Sequence, residues 1–377
     1  MSLWDSLVGQ PNAVSTLQRA IDKASHAMTH AWLFTGPPGS GRSVAAKAFA
    51  AALQCVDGGC GQCHSCTTVL AGTHPDVAII RTEKLSIGVD EVRELVRRAA
   101  MSPTWGRWQI IIIEDSDRIT ERGANALLKG IEEPTPRTVW MLCTPTANDV
   151  VATIRSRCRQ VALVTPSTQA VTTILTAEGI PQDKAHFAAR VCQGHIGRAR
   201  AIATDSQVAV RRKEILQIPG KLSTLGGCLE SAAWAITTAT DEATEATKPI
   251  DALEKKQLWA ALGIEKGKPL PRGAAGPVKD LEEQQGLRAK RFIRDRLDSI
   301  MLELTSYYRD VLMVQTTDGD NLVNTDFRKA IEKSATQWGP EATIKRIDAI
   351  SECGQALAGN VVPLLAFEAL MVSLSTL

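Results

Sequence analysis

The chain has 377 residues, 44% of them hydrophobic, enough for roughly two or three domains with cores of their own. A formal net charge of +2 excludes a polycation, so any contact with nucleic acid must come from a local patch. No apolar run of about eighteen residues occurs, and the start, Met1-Ser2-Leu3-Trp4-Asp5, lacks a basic-then-apolar signal, so a cytoplasmic protein with no membrane partner is expected.

Residues 1–165 alternate strand and helix signals, which predicts an α/β domain. Short β-rich runs fall at Ala31–Phe34, Val77–Ile80, Gln109–Ile113, Val139–Cys143 and Gln160–Val164. Gln109–Ile113 is apolar almost throughout, as expected of a strand covered on both faces in a parallel sheet. The first strand runs into Gly36-Pro37-Pro38-Gly39-Ser40-Gly41-Arg42-Ser43, a phosphate-binding loop pattern with arginine in the lysine position, followed by a helix from about Ser43 through Leu53. Glycines let backbone N–H groups turn inward on phosphate, and the helix N-terminus adds partial positive charge. Arginine keeps the charge of lysine but brings a broader planar head, so the exchange alters a tight site.

Cys55, Cys60, Cys63 and Cys66 put four thiols in twelve residues, with Gly58, Gly59 and Gly61 supplying turns. Four thiolates in short steps close a tetrahedral site, which predicts structural and not catalytic Zn2+. Cys143, Cys158, Cys192, Cys228 and Cys353 are scattered and read as small apolar residues. The helical stretch Asp90–Met101 carries Arg93, Arg97 and Arg98, which read either as contacts to DNA phosphate or as a solvated helix face.

Glu114-Asp115-Ser116-Asp117 follows the apolar strand, where an ATPase places carboxylates for Mg2+ and water. The order here is Glu then Asp, and the same acids could simply cap the next helix at its N-terminus. Helix Glu121–Ile131 comes next. In Arg155-Ser156-Arg157-Cys158-Arg159 the arginines are either a solvated basic face or a donor reaching a neighbouring subunit's nucleotide.

Beyond Pro166 the strands end. Gln169–Ala177 and Lys184–Gln193 read as short helices before the break Gly194-His195-Ile196-Gly197, so 166–205 is expected to be a helical lid and 206–377 an all-α collar. Within the collar, Arg291–Leu312 puts Ile293, Leu297, Ile300, Met301, Leu304, Tyr308 and Val311 on one stripe, and Asn360–Leu377 is an apolar closing helix. Thr237–Gly286 is poor in aromatics and carries Pro269, Pro271, Gly273, Gly276 and Pro277, which predicts a flexible insertion.

The chain resembles a bacterial clamp-loader subunit of the AAA+ class. The marks are Val8-Gly9-Gln10, His30-Ala31-Trp32-Leu33-Phe34 into the loop, the cysteine cluster, His74-Pro75-Asp76, Asn125-Ala126-Leu127-Leu128-Lys129 with Glu132-Glu133-Pro134, and Ser156-Arg157-Cys158. Within that family, Arg42, the Glu114-Asp115 order and Gly197 before Arg198 in the lid favour the delta-prime stator of the DNA polymerase III loader over its motor (gamma/tau) subunit.

The resemblance implies ATP or ADP contacts at Val8, Gly36, Gly39, Ser40, Gly41, Arg42, Ser43, Glu114, Asp115 and Thr144 in a degenerate site with weak or no ATPase. It implies that Arg157 acts in trans on a neighbour's ATP. The partners it implies are motor and delta subunits, the sliding clamp and primer–template DNA, in a replisome associated with the nucleoid. A motor subunit with its own ATPase is the alternative.

Overall fold

The computed structural model describes residues 3–377 apart from 23, 25, 83, 265–270, 272, 318 and 320. Pro269 of the expected insertion, and Met1 and Ser2 of the start, lie outside the described residues. The chain divides into two compact units, Met1–Thr204 and Asp205–Leu377.

The first unit is built on five strands: β1 (Ala31–Thr35), β2 (Val77–Ile80), β3 (Gln109–Ile113), β4 (Thr138–Thr144) and β5 (Arg159–Ala162). Their order is β2-β3-β4-β1-β5, and every pairing is parallel. The helices of this unit are α1 (Pro11–Ile21), α2 (Arg42–Gln54), α3 (His64–Leu70), α4 (Val89–Ala99), α5 (Glu121–Glu132), α6 (Ala152–Arg155), α7 (Thr168–Ala177), α8 (Gln182–Val191) and α9 (Ile196–Thr204).

Side-chain alternation sorts the strands into two cores. Ile110 and Ile112 join Trp32, Phe34 and Met141 with the alanines of α2 on one face. Ile111 and Ile113 join Leu33, Trp140 and Leu142 with Leu95, Leu127 and Ile131 of α4 and α5 on the other. The strand predicted to be covered on both faces is so covered. Helices α1 and α3 were not among the elements read from the sequence.

One buried carboxylate fixes the approach to β3. Asp76 accepts from the backbone N–H groups of Thr104, Trp105 and Gly106, at 2.7, 2.8 and 2.5 Å. Burial works to raise its pKa, but those N–H groups outweigh burial and hold it below the usual carboxylate value.

The second unit is helical: α10 (Ser206–Gln217), α11 (Leu225–Leu262), α12 (Ala275–Thr316), α13 (Arg328–Gln337), α14 (Pro340–Ala358) and α15 (Pro363–Thr376). Leu297, Ile300, Met301, Leu304, Tyr308 and Val311 of the expected stripe lie in its core.

Thr237–Gly286, expected to be a flexible insertion, is instead helical over most of its described length. Its small side chains are the physical reason. Ala232, Ala235, Ala239, Ala243 and Thr247 recur at helical spacing as a buried stripe on α11, so the helix packs without large apolar groups. Arg288 of α12, 1% exposed, is matched by Asp251 at 2.7 Å and Glu254 at 2.6 Å on α11. A buried guanidinium is tolerated only with such partners.

Candidate functional site

The C-terminal ends of β3, β4 and β1 are neighbours in the sheet and carry Glu114, Thr144 and the phosphate loop respectively. Open parallel sheets bind ligands at such strand ends, where the strand order reverses. Gly36, Gly39 and Gly41 have φ of +153°, +83° and +92°, and Gly41 opens α2 in the left-handed region. The loop is tied from outside by Gln10, whose amide nitrogen donates to the Ser40 carbonyl at 3.3 Å and the Val164 carbonyl at 2.7 Å while its oxygen accepts from the Val164 N–H at 2.9 Å. Val8 is half-buried in the turn just before it, and Ser43 lies in the first turn of α2.

Oγ of Ser40 and Nη1 of Arg42 are buried and have no hydrogen-bond partner among the described residues. Both are donors, so the chemistry of the loop fits a phosphate group. Two features restrict it. A Cβ at Gly39 would lie 2.4 Å from the Cα of His195, so the turn before α9 sits directly on the loop apex. His195 Nδ1 accepts from the Arg198 N–H at 3.2 Å, and burial, then Arg198 and Arg42, lower its pKa.

The second restriction lies in the carboxylates. Glu114 is paired with Lys47 of α2 at 2.8 Å, its side chain 11% exposed. A tethered ammonium therefore stands beside the acid that would share in holding Mg2+. Asp115 caps the short 3-10 turn Ser116–Arg118, its carbonyl accepting from the Arg118 N–H at 3.0 Å. Thr144 is fully buried and donates to the Thr146 carbonyl at 3.1 Å, turned towards its own loop. Burial pushes the Cys143 thiol up to about 12, with the charge of Glu114 adding to the rise and that of Arg42 opposing it.

At the other end of α2 the ligand atoms of Cys55, Cys60, Cys63 and Cys66 all lie within 4.8 Å of one another. The Sγ of Cys55 is 3.7 Å from those of Cys60 and Cys63. Tetrahedral Zn–S bonds of about 2.3 Å require sulfur separations of about 3.8 Å, so the four thiols fit zinc. Burial raises the Cys55 thiol, but the N–H groups of Cys60, Gly59 and Asp57 outweigh this and bring it down to about 6. Burial drives Cys66 well above the ordinary thiol range. Four thiolates at this spacing need a cation, and zinc bound there would tie the end of α2 to α3.

The basic triplet is resolved by its acceptors. Arg159 donates to the Ala27 carbonyl at 2.6 Å and lies over the Trp32 ring, while Arg155 donates to the Ala147 carbonyl at 3.3 Å. Arg157 is the exposed member; it donates to the Thr153 carbonyl at 2.8 Å and pairs with Glu132 of α5 at 2.6 Å. On α4, Arg93 pairs with Asp90 at 3.1 Å, Arg97 pairs with Glu94, and Arg98 donates to the Pro75 carbonyl at 3.3 Å. Each therefore has a local acceptor that a DNA phosphate would have to displace.

Sequence reasoning did not single out Gln10, Lys47, Glu132 or His195 as site residues. Lys47 could have been suspected, since it follows Ser43 by about one turn of the same helix. The others meet their partners only through the fold.

Residues 9–167 match the family described as DNA polymerase III, delta subunit. The chain is similar to the DNA polymerase III subunit delta' of Pseudomonas aeruginosa, 37% identical over 154 residues, which cover 39% of this chain and 46% of that protein. It is similar to the subunit gamma/tau of Mycobacterium tuberculosis, 34% identical over 156 residues, 40% of this chain and 27% of that protein. It is also similar to the subunit delta' of Bacillus subtilis, 24% identical over 355 residues, 93% of this chain and 92% of that protein. The matched stretch thus spans less than half the length of the first two relatives. Among the described residues no helix is long and apolar enough to cross a membrane. The resemblance to a bacterial clamp-loader subunit of the delta-prime type, read from the motifs, is borne out by the family match and by the delta' relatives.

Proposed function

We propose that this chain is the delta-prime stator of a bacterial clamp loader of the DNA polymerase III holoenzyme. In this reading it hydrolyses little or no ATP itself. It assembles through its helical unit with motor (gamma/tau) and delta subunits, and it lends Arg157 to the ATP site of an adjacent motor subunit. The assembly opens the sliding clamp and releases it onto primer–template DNA in the cytoplasm.

The observation that carries the reading is the state of the chain's own phosphate site. The loop ends on Arg42, and the strand-end acid Glu114 is already held by Lys47 at 2.8 Å. Arg157 meanwhile stands exposed on the rim of the sheet domain. A guanidinium brought in trans stabilises charge on a transferring phosphoryl group, and removing one costs about 10³–10⁵ in rate where it has been measured in small GTPases. In a loader reconstituted from motor, delta and this chain, Arg157→Ala is expected to lower ATP hydrolysis at least about tenfold. An unchanged rate sinks the proposal.

A motor role is the second reading. It is favoured by the buried donors Ser40 Oγ and Arg42 Nη1, which have no hydrogen-bond partner among the described residues, and by the similarity to a gamma/tau subunit. Steady turnover by the isolated chain, abolished by Arg42→Ala, would select it.

A further inference from the structure

We propose that Glu132 is a latch for Arg157: its carboxylate holds and neutralises the guanidinium on its own domain until a neighbour's phosphate takes its place. The inference rests on the trans-arginine reading above and deepens it.

Glu132 is the last residue of α5, where the helix macrodipole disfavours a carboxylate and favours a cation. Arg157 supplies that cation, with Nη2 2.6 Å from Oε1 of Glu132 and Nη1 2.8 Å from the Thr153 carbonyl. The guanidinium is thus gripped from two elements, α5 and α6, while both side chains stay about two-fifths exposed, at 41% and 39%. A fully buried pair of this kind would not come apart, because either partner left alone would be a desolvated charge. At this exposure the pair is screened and separable.

Carboxylate and phosphate oxygens compete for the same donor fork. A guanidinium facing Glu132 presents little net charge to a triphosphate arriving from a neighbour. Phosphate must displace Glu132 first, so the latch lowers the apparent affinity of the composite site for ATP and leaves the completed site unaltered. Arg155 and Arg159 are only half-exposed; Arg155 donates to the Ala147 carbonyl and the Asn148 side-chain oxygen and Arg159 to the Ala27 carbonyl, so Arg157 is the exposed arginine of the three.

Steady-state hydrolysis by the reconstituted loader tests the latch. Glu132→Gln keeps the side-chain length and removes the charge. It is expected to lower KM for ATP by about two- to fivefold, the factor an exposed ion pair carries, with kcat within about twofold of the unaltered loader. In an Arg157→Ala background the same change is expected to shift nothing, since the two residues act as one unit. Glu132→Asp, which retains the charge, is expected to stay closer to the unaltered KM than Glu132→Gln does.

An unchanged or raised KM in Glu132→Gln, a fall in kcat, or an equal KM shift without Arg157 overturns the latch. If Arg157→Ala lowers hydrolysis and Glu132→Gln shifts nothing, only the latch fails. If Arg157→Ala leaves hydrolysis intact, the trans-arginine reading falls and the latch falls with it.

Discussion

The two ends of α2 put similar materials to opposite use. Each is flanked by glycines at positive φ, Gly39 and Gly41 before the helix and Gly58, Gly59 and Gly61 after it. After the helix the four thiols converge on one another within 4.8 Å, a complete donor set with room for a cation. Before it the groups are drawn into contacts within the chain: Lys47 on Glu114, His195 on Gly39, Thr144 on Thr146. The difference follows from where the ligands come from. A centre supplied by one short segment keeps its chemistry as long as that segment folds. A centre assembled from a loop, two strand ends and a lid can lose its chemistry by substitution in any of them, while the frame that holds it survives. On the stator reading proposed above, such a frame would suit a subunit that supports hydrolysis elsewhere.

The cysteine end should give the largest effect. Structural zinc contributes about 10–16 kcal/mol of binding free energy in small thiolate sites. We expect the native chain to hold zinc in a one-to-one ratio by elemental analysis, and Cys66→Ser to lose it. The loss should expose the 55–66 segment to proteolysis, while the sheet and the helical unit keep their circular dichroism. A metal-free native chain with a protected segment would break the comparison, because both ends of α2 would then be vacant frames.

Next in size is Arg42. Hydrogen bonds to a charged group are worth about 1.5–3 kcal/mol, so Arg42→Ala should weaken ADP binding by about ten- to a hundredfold in calorimetric titration. Arg42→Lys should keep the affinity within about fivefold and create no turnover, because Glu114 remains paired with Lys47. Turnover in Arg42→Lys alone would show that the arginine, and not the paired carboxylate, holds the site back.

The parts legible in the sequence were those whose signal is local. Gln109–Ile113 announced a doubly covered strand because burial on both faces removes alternation. The cysteine set was legible because its ligands sit in twelve consecutive residues. Contacts between distant positions left no such trace: nothing near Gly39 points to His195, and nothing near Arg157 points to Glu132. The helical segment around Ala239 departs from the flexible insertion that few aromatics and several Pro and Gly residues predict, because a stripe of small side chains on α11, with Arg288 matched by Asp251 and Glu254, packs a helix without bulky groups.

Lys47 sharpens the contrast at a smaller scale. Its pair with Glu114 is partly exposed, at 32% for the lysine, so its loss should change binding by no more than about fivefold. In the native chain, ADP affinity is expected to be the same with Mg2+ as with a chelator. Lys47→Met frees the Glu114 carboxylate, and Mg2+ should then raise the affinity by a few-fold. Equal response to Mg2+ in both proteins would mean that the ammonium does not govern the acid.

The smallest effect is expected where His195 covers Gly39. Burial, Arg198 and Arg42 lower its pKa in the folded chain below the ordinary histidine value of about 6.5. As pH falls through that ordinary value, the unfolded chain takes up a proton that the folded chain refuses, so acidification favours unfolding. His74, lowered chiefly by burial, contributes in the same direction, and the native chain alone therefore does not isolate His195. His195→Gln does isolate it: an amide oxygen can still accept from the Arg198 N–H but does not titrate. Between pH 7.5 and 5.5 the thermal midpoint of the native chain should fall further than that of His195→Gln, by about 2 °C for a unit of this size. Equal falls would mean that the lid does not press a neutral imidazole onto the loop, and the phosphate end of α2 would be more open than the contact at Gly39 indicates.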